Sequence, residues 1–198
     1  MLKEFIDFVE SNLPATSPDS KEKLKEAITQ FEKSGECYKF LMLTPLEKLS
    51  QGDMISEVPF AYFDEDGGYK IFKSKAIVLS TSCHIDQKDK LVLIPVFPLT
   101  DFSGNFDDLK KNVIFDYMYI SDPIMSDLFV NFEYMTTYNK KIILTALEKN
   151  KVNRICSLNQ LGYYLFIIKL TVYLMRKEDS GTLKDRLDDS LSYFKKKI

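Results

Sequence analysis

Three short apolar runs decide the fold of this 198-residue chain: Gly52-Asp53-Met54-Ile55, Ala76-Ile77-Val78-Leu79-Ser80 and Leu91-Val92-Leu93-Ile94-Pro95-Val96. Turn-forming sequence separates them, and β-branched residues recur in the second and third runs. Side chains that branch at Cβ pack well on a pleated surface, so these runs predict buried β-strands. Short strands separated by turns at this spacing are typical of a small β-barrel.

A hairpin is predicted around the turn Asp64-Glu65-Asp66-Gly67-Gly68, whose two glycines can adopt positive φ. A polar loop is predicted at residues 81–89. The strands predicted in this region cover residues 54–63, 69–72, 75–80 and 90–96. We expect residues 102–112 to leave the barrel, residues 112–120 to return as a strand, and residues 128–135 to form a late strand.

Helices are predicted on both sides of the barrel because apolar residues recur there at helical spacing. The C-terminal helices are expected at residues 140–150, 157–177 and 182–197, with Ser157 as the N-cap of the second. The apolar run at residues 161–175 is too short to span a bilayer comfortably and contains a lysine, so we expect a buried helix. We predict a single domain over residues 1–198, composed of a helical hairpin (1–35), a barrel core (50–138) and C-terminal helices (139–198).

Composition limits the class of protein. Apolar residues make up 45% of the chain, enough for a real core. The 27 basic residues nearly balance the 29 acidic residues, and the net charge is -2, so bulk attraction to nucleic acid is not expected. The three cysteines are widely spaced without a Cys-x-x-Cys pair, which argues against a disulfide framework or a zinc site. The N-terminus does not resemble a secretion signal, and we expect a cytoplasmic protein.

The order and the sequences of the three runs resemble those of the MazF/PemK family of toxin barrels. In that family a Gly-Asp pair opens the first long strand, as Gly52 and Asp53 do here, and strands like residues 75–80 and the segment around Pro95 complete the core sheet. The resemblance implies an α+β fold, namely a small SH3-like β-barrel, here flanked by N-terminal and C-terminal helices. It also implies a bacterial toxin–antitoxin or phage-defence setting.

The resemblance places a catalytic arginine just before the second strand and a hydroxyl just after the third. Ser74 and Phe97 occupy these positions, so both expected groups are missing. Lys73 and Lys75 are the neighbouring cations, but lysine lacks the bidentate guanidinium fork that stabilises a phosphate. We therefore expect two solvated lysines that flank a buried strand.

Cys83 and His84 are the other candidate pair, because a thiolate nucleophile needs a base and His84 is the only histidine. Adjacent residues on an extended segment point to opposite sides, so His84 is not expected to serve Cys83. We predict that Cys83 is a small buried hydrophobe at a strand end and that His84 lies in a loop. Asp53 is predicted to cap a turn through backbone N–H groups downstream of it.

We therefore expect a catalytically degenerate MazF/PemK-like binding module. We expect it to bind a protein partner or single-stranded nucleic acid such as RNA. Self-association into a homo-oligomer is a further alternative. The alternative is an active, metal-independent endoribonuclease that uses Lys73 or Lys75 for phosphate charge, with Ser80 or Ser82 as polar contacts. A third alternative is a purely structural subunit. No cofactor, metal or membrane contact is expected.

Overall fold

The computed structural model describes residues 40–121, 125–175 and 179–186. These residues form eight strands: β1 (Leu41–Met42), β2 (Asp53–Phe63), β3 (Tyr69–Val78), β4 (Lys90–Pro98), β5 (Tyr117–Ile120), β6 (Leu128–Asn131), β7 (Thr136–Asn139) and β8 (Arg154–Leu158). Five helical segments accompany them: α1 (Ser82–Gln87), α2 (Phe106–Lys110), α3 (Lys140–Glu148), α4 (Gln160–Leu174) and α5 (residues 180–186). Two short 3-10 helices cover Leu99–Asp101 and Phe132–Tyr134. The predicted α+β class is confirmed.

All eight strands join one antiparallel sheet in the order β1-β8-β2-β3-β4-β6-β5, and β7 pairs with a second stretch of β4. β1 and β5 stand at the two ends of this order, and no pairing between them closes the sheet in the part of the chain that the structure describes. The predicted SH3-like closure therefore remains a prediction. The predicted N-terminal hairpin, residues 1–35, lies outside the described residues.

Each face of the sheet is covered by a different helix, because successive side chains of a strand point to opposite sides. Ile77 of β3 and Ile94 of β4 belong to a core cluster with Phe166 of α4. Ala76 and Val78 belong to a second cluster on the opposite side, which includes Ile143 of α3. We call these two sides the α4 face and the α3 face.

Several predicted elements are confirmed. The hairpin turn forms between β2 and β3, and Gly67 has φ +76, a conformation that favours glycine. β4 and α3 lie where the sequence predicts them, and the apolar run at 161–175 is the helix α4, which packs on the core. None of the described helices combines the length and hydropathy that a membrane crossing needs.

The region around β3 corrects two predictions. Residues 69–72 and 75–80 were predicted as separate strands, but β3 runs unbroken through Lys73 and Ser74. The Ser74 hydroxyl donates to the carbonyl oxygen of Val96 at 2.6 Å, which ties this polar position to β4. Residues 81–89 were predicted as a loop, but they contain α1, whose N-cap is Thr81.

The largest correction concerns residues 154–158, because the C-terminal region is not purely helical. These residues form β8, which lies between β1 and β2 in the sheet. Ser157 is therefore a buried strand residue and not a helix cap. Asn159 caps α4 instead, since its side-chain oxygen accepts from the N–H of Gly162 at 2.9 Å.

Two further strands are shorter than predicted. β5 covers only the last four residues of the region 112–120. β6 covers the first four residues of the region 128–135, and a 3-10 turn follows it. The side chain of Asn131 ends β6 by accepting from the N–H of Glu133 at 2.9 Å, as helix caps do. Residues 102–112, predicted to leave the barrel, contain α2.

Candidate functional site

The two candidate lysines lie in the middle of β3. Lys73 and Lys75 are two residues apart on one strand, so both point to the α4 face. Lys73 is exposed and pairs in register with Pro59, whereas Lys75 is half-buried and pairs with Val96. Lys73 is therefore the solvated lysine that the sequence predicts, whereas Lys75 is only partly exposed.

The other candidates lie beyond the C-terminal end of β3. Val78 ends the strand about 10 Å from Lys75, at a rise of about 3.3 Å per residue. The hydroxyl of Ser80 follows; it is buried and accepts from the N–H of Val92 at 2.9 Å. Ser82 begins α1. The structure therefore does not bring the lysines together with either serine.

Cys83 and His84 are placed differently from the prediction. Both lie in the first turn of α1 and both are exposed, so Cys83 is not the buried residue that the sequence suggested. Residues adjacent in a helix do not face each other, and His84 is still not positioned to serve Cys83 as a base. Within the described ranges, no group of three His, Cys, Asp or Glu side chains could hold a metal ion.

Asp53 forms a buried network at the seam between β2 and β8. Its carboxylate has no exposed surface and lies 2.7 Å from the guanidinium of Arg154. The other carboxylate oxygen accepts from the Ser157 hydroxyl at 2.5 Å. The N–H of Ser50 donates to the carboxylate at 2.9 Å, so Asp53 does cap the turn, but through an upstream residue.

Arg154 connects this network to residues 46–48, which precede β2. Its guanidinium donates to the carbonyl oxygens of Leu46, Glu47 and Lys48. The network thus fixes the segment that leads into the turn at Gly52, where φ is +87. The side chain of Asp53 is held by Arg154 and Ser157 of β8 and by the turn before β2, which indicates a structural carboxylate.

A row of stacked rings crosses the α3 face. Phe60 of β2, Phe72 of β3, Phe97 of β4 and Phe129 of β6 stack in turn, and each pair of neighbouring ring centroids is 5.5 Å apart. We call these four residues the aromatic row. Its two outer rings are buried, whereas Phe72 and Phe97 are half-buried. The middle of the row therefore presents apolar ring surface to solvent.

A tyrosine packs against the middle of the row, and a second tyrosine with a carboxylate lies at its Phe129 end. Tyr134 packs edge-on against Phe72 at 5.8 Å and against Phe97 at 6.5 Å. The exposed Glu133 hydrogen-bonds with the hydroxyl of Tyr117, which contacts Phe129 at 5.7 Å. Burial, and then the charge of Glu133, raise the pKa of Tyr117. One carboxylate therefore lies near the Phe129 end of the row.

None of the three lysines of β3 supplies a free cation on the same surface. Lys73 and Lys75 point to the α4 face, away from the row. Lys70 shares the α3 face with Phe72, but its ammonium lies 3.5 Å from the carboxylate of Asp64. The side chains that could stack on bases and the cations that could contact phosphates thus lie on opposite sides of β3.

Lys169 is a buried lysine on α4 that the sequence did not single out as a site. Its ammonium donates to the carbonyl oxygens of Asn112, at 3.1 Å, and Ile114. Burial lowers the pKa of Lys169 to about 8, although the nearby Asp116 carboxylate acts in the opposite direction. Lys169 therefore joins α4 to the segment before β5.

Comparisons with known proteins found similarity among solved structures. No protein-family model matches the chain, and no curated protein matches it. Among solved structures, the chain is similar to a chain from an endoribonuclease in complex with its cognate antitoxin, from a mycobacterial species. The TM-score is 0.40 and the identity 9%, over 67% of this chain and 100% of that chain. The MazF/PemK resemblance therefore stays a prediction.

Proposed function

We propose that this protein is a catalytically degenerate MazF/PemK-like binding module that uses the aromatic row to bind a protein partner, in a bacterial toxin–antitoxin or phage-defence setting. The observation that carries the proposal is the half-buried middle of the row, together with Glu133 near its Phe129 end and, in the described part of the chain, no free lysine of β3 on the same face. The setting rests on the resemblance of the sequence alone.

Protein is the better ligand for this surface because of its charge. Aromatic side chains are enriched at protein interfaces, and a cationic side chain over a ring face is attracted by the π-system. A partner with apolar and basic side chains would match both the rings and Glu133. Single-stranded nucleic acid would bring phosphates toward a carboxylate, which is unfavourable.

The separation of the candidate catalytic groups supports the same proposal. A ribonuclease needs a cation and a polar or basic group around one phosphate. Here the two lysines lie in the middle of β3, while Ser80 and the residues of α1 lie beyond the C-terminal end of that strand. Thus none of the other candidate residues lies beside Lys73 and Lys75 to act as a base toward the same phosphate.

Reversing the charge of Glu133 tests the proposed surface. We expect Glu133→Lys to reduce recovery of the partner at least about tenfold, because a repulsive contact replaces an attractive one. Affinity-purified wild-type protein and variant, taken from cells that naturally encode the chain and treated with ribonuclease, would be compared by quantitative mass spectrometry. Glu148→Lys, at the exposed end of α3, is the matched control and should retain the partner.

The outcome is decided by the difference between the two variants. A protein recovered with the wild type and Glu148→Lys but lost from Glu133→Lys supports the proposal. If every copurifying protein is recovered equally with both variants, the aromatic row is not the binding surface.

A further inference from the structure

The helix α4 carries an apolar stripe that the sheet does not account for. The side of α4 that packs on the sheet centres on Phe166, which belongs to the core cluster of the α4 face. Ile168 lies about 200° further round the helix, at about 100° per residue, and therefore points away from Phe166. Apolar residues continue on both sides of Ile168 at alternating steps of four and three residues. We call this stripe the α4 seam: Leu161, Leu165, Ile168 and Val172.

Ile168 is buried although no described cluster contains it. Its side chain is 5% exposed, yet it belongs to none of the three hydrophobic clusters that the described residues form. Among the described elements, α4 packs chiefly on β5 and β8, whose residues share the cluster of Phe166. The structure contains a single chain, so a second copy does not shield Ile168. The burial of Ile168 therefore requires a cover from the same chain.

The chain enters the fold beside the first turn of α4. The N–H of Asn159 donates to the carbonyl oxygen of Phe40 at 2.9 Å. The same oxygen lies so close to Gly162 that a Cβ at this position would collide with it. Residues 1–39 therefore join the described fold at the Leu161 end of the α4 seam.

The residues before Phe40 supply a matching apolar stripe. Leu24, Ile28 and Phe31 recur at steps of four and three residues, which is the spacing of the α4 seam and of packed helices in general. Eight residues separate Phe31 from Phe40. Because short connections join antiparallel neighbours, a helix over residues 21–34 would run antiparallel to α4 with Phe31 near the start of the seam.

We propose that residues 21–34 form a helix that packs antiparallel to α4 and covers the α4 seam, so that the chain closes this surface with its own N-terminal segment. Residues 187–198 are the other long segment that could reach α4. They follow α5, which is exposed apart from the half-buried Thr182, so the chain leads away from the core there. The proposal does not rest on the aromatic row, since the row lies on the α3 face.

Cysteine labelling of the full chain, read at each site by mass spectrometry, tests the proposal. Ile168→Cys places a reporter in the seam, and the exposed Cys83 and buried Cys156 are fast and slow references in the same molecule. We expect the reporter to react at least about tenfold more slowly than Cys83. Adding Leu24→Asp with Ile28→Asp should raise its rate at least about tenfold, because charges replace the covering apolar side chains, while Cys156 stays protected.

Two further pairs of apolar-to-acidic substitutions are the matched controls, one near the N-terminus and one after α5: Ile6→Asp with Val9→Asp, and Leu187→Asp with Leu191→Asp. Both pairs should leave the reporter protected, because neither changes the stripe that we place in the seam. A control pair that exposes the reporter as strongly as the substitutions in residues 21–34 overturns the proposal.

Three other results also decide the question. A reporter that reacts as fast as Cys83 overturns the proposal, and so does protection that is lost on dilution, as a contact between copies would show. If Cys156 also becomes reactive, the protein has unfolded, and the milder Ile28→Ser replaces the acidic pair. Exposure of the reporter by Ile28→Ser then supports the proposal, and unchanged protection overturns it.

Discussion

Replacing Asp53 with alanine is expected to lower the free energy of unfolding by about 3–5 kcal/mol. The carboxylate is fully buried and receives hydrogen bonds from Arg154, Ser157 and Ser50. Its removal leaves the guanidinium of Arg154, whose side chain is only 20% exposed, without its counter-charge. The loss reflects that uncompensated charge and the unmade hydrogen bonds rather than a net gain from the ion pair.

Urea titration followed by circular dichroism measures this effect for the wild type and the Asp53→Ala protein. Glu148→Ala is the control for loss of a carboxylate at an exposed position and should change stability by no more than about 0.5 kcal/mol. A loss below about 1 kcal/mol for Asp53→Ala is what an exposed ion pair would show. That result would contradict the burial of the Asp53 side chain at the seam between β2 and β8.

The second large effect is a pH dependence that arises from Lys169. Its pKa is lowered to about 8 in the folded protein, because burial opposes the charged form. In the unfolded chain the ordinary lysine pKa lies near 10.4. Between these values the unfolded state binds more protons than the folded state, so the contribution of Lys169 to stability rises with pH.

We expect the stability of the wild type relative to Lys169→Met to rise by about 2 kcal/mol between about pH 7 and about pH 10. Urea titrations of both proteins at several pH values give this difference. Groups shared by the two proteins, including Tyr138, whose pKa burial raises to about 12, cancel in the comparison. Lys141→Met, at an exposed position of α3, is the control. A difference that stays constant with pH would show that Lys169 is not buried.

Local signals explain which parts of the fold the sequence predicts. The hairpin follows from a turn with two glycines between alternating residues, and β4 follows from its β-branched run. β8 was missed because Arg154 to Leu158 adjoins the apolar residues of α4 without a break in composition. Its strand conformation depends on pairing with β1 and β2, which lie about a hundred positions earlier in the chain.

The candidate site, like the fold, was predicted from the sequence only in part. The MazF/PemK resemblance predicts an arginine and a hydroxyl where Ser74 and Phe97 stand. In the structure the Ser74 hydroxyl donates to the carbonyl oxygen of Val96. The aromatic row was missed because its four rings come from four strands, so each phenylalanine looks like an ordinary core residue. Arg154 carries no local signal for its role either, since Asp53 lies 101 residues away.

Incubation of the purified protein with end-labelled single-stranded RNA, with and without a metal chelator, tests the central claim most directly. A binding module without a catalytic constellation should leave the RNA intact under both conditions. Cleavage by the wild type that disappears in Lys73→Ala and Lys75→Ala, but persists in the exposed control Lys141→Ala, would contradict the account and establish an endoribonuclease.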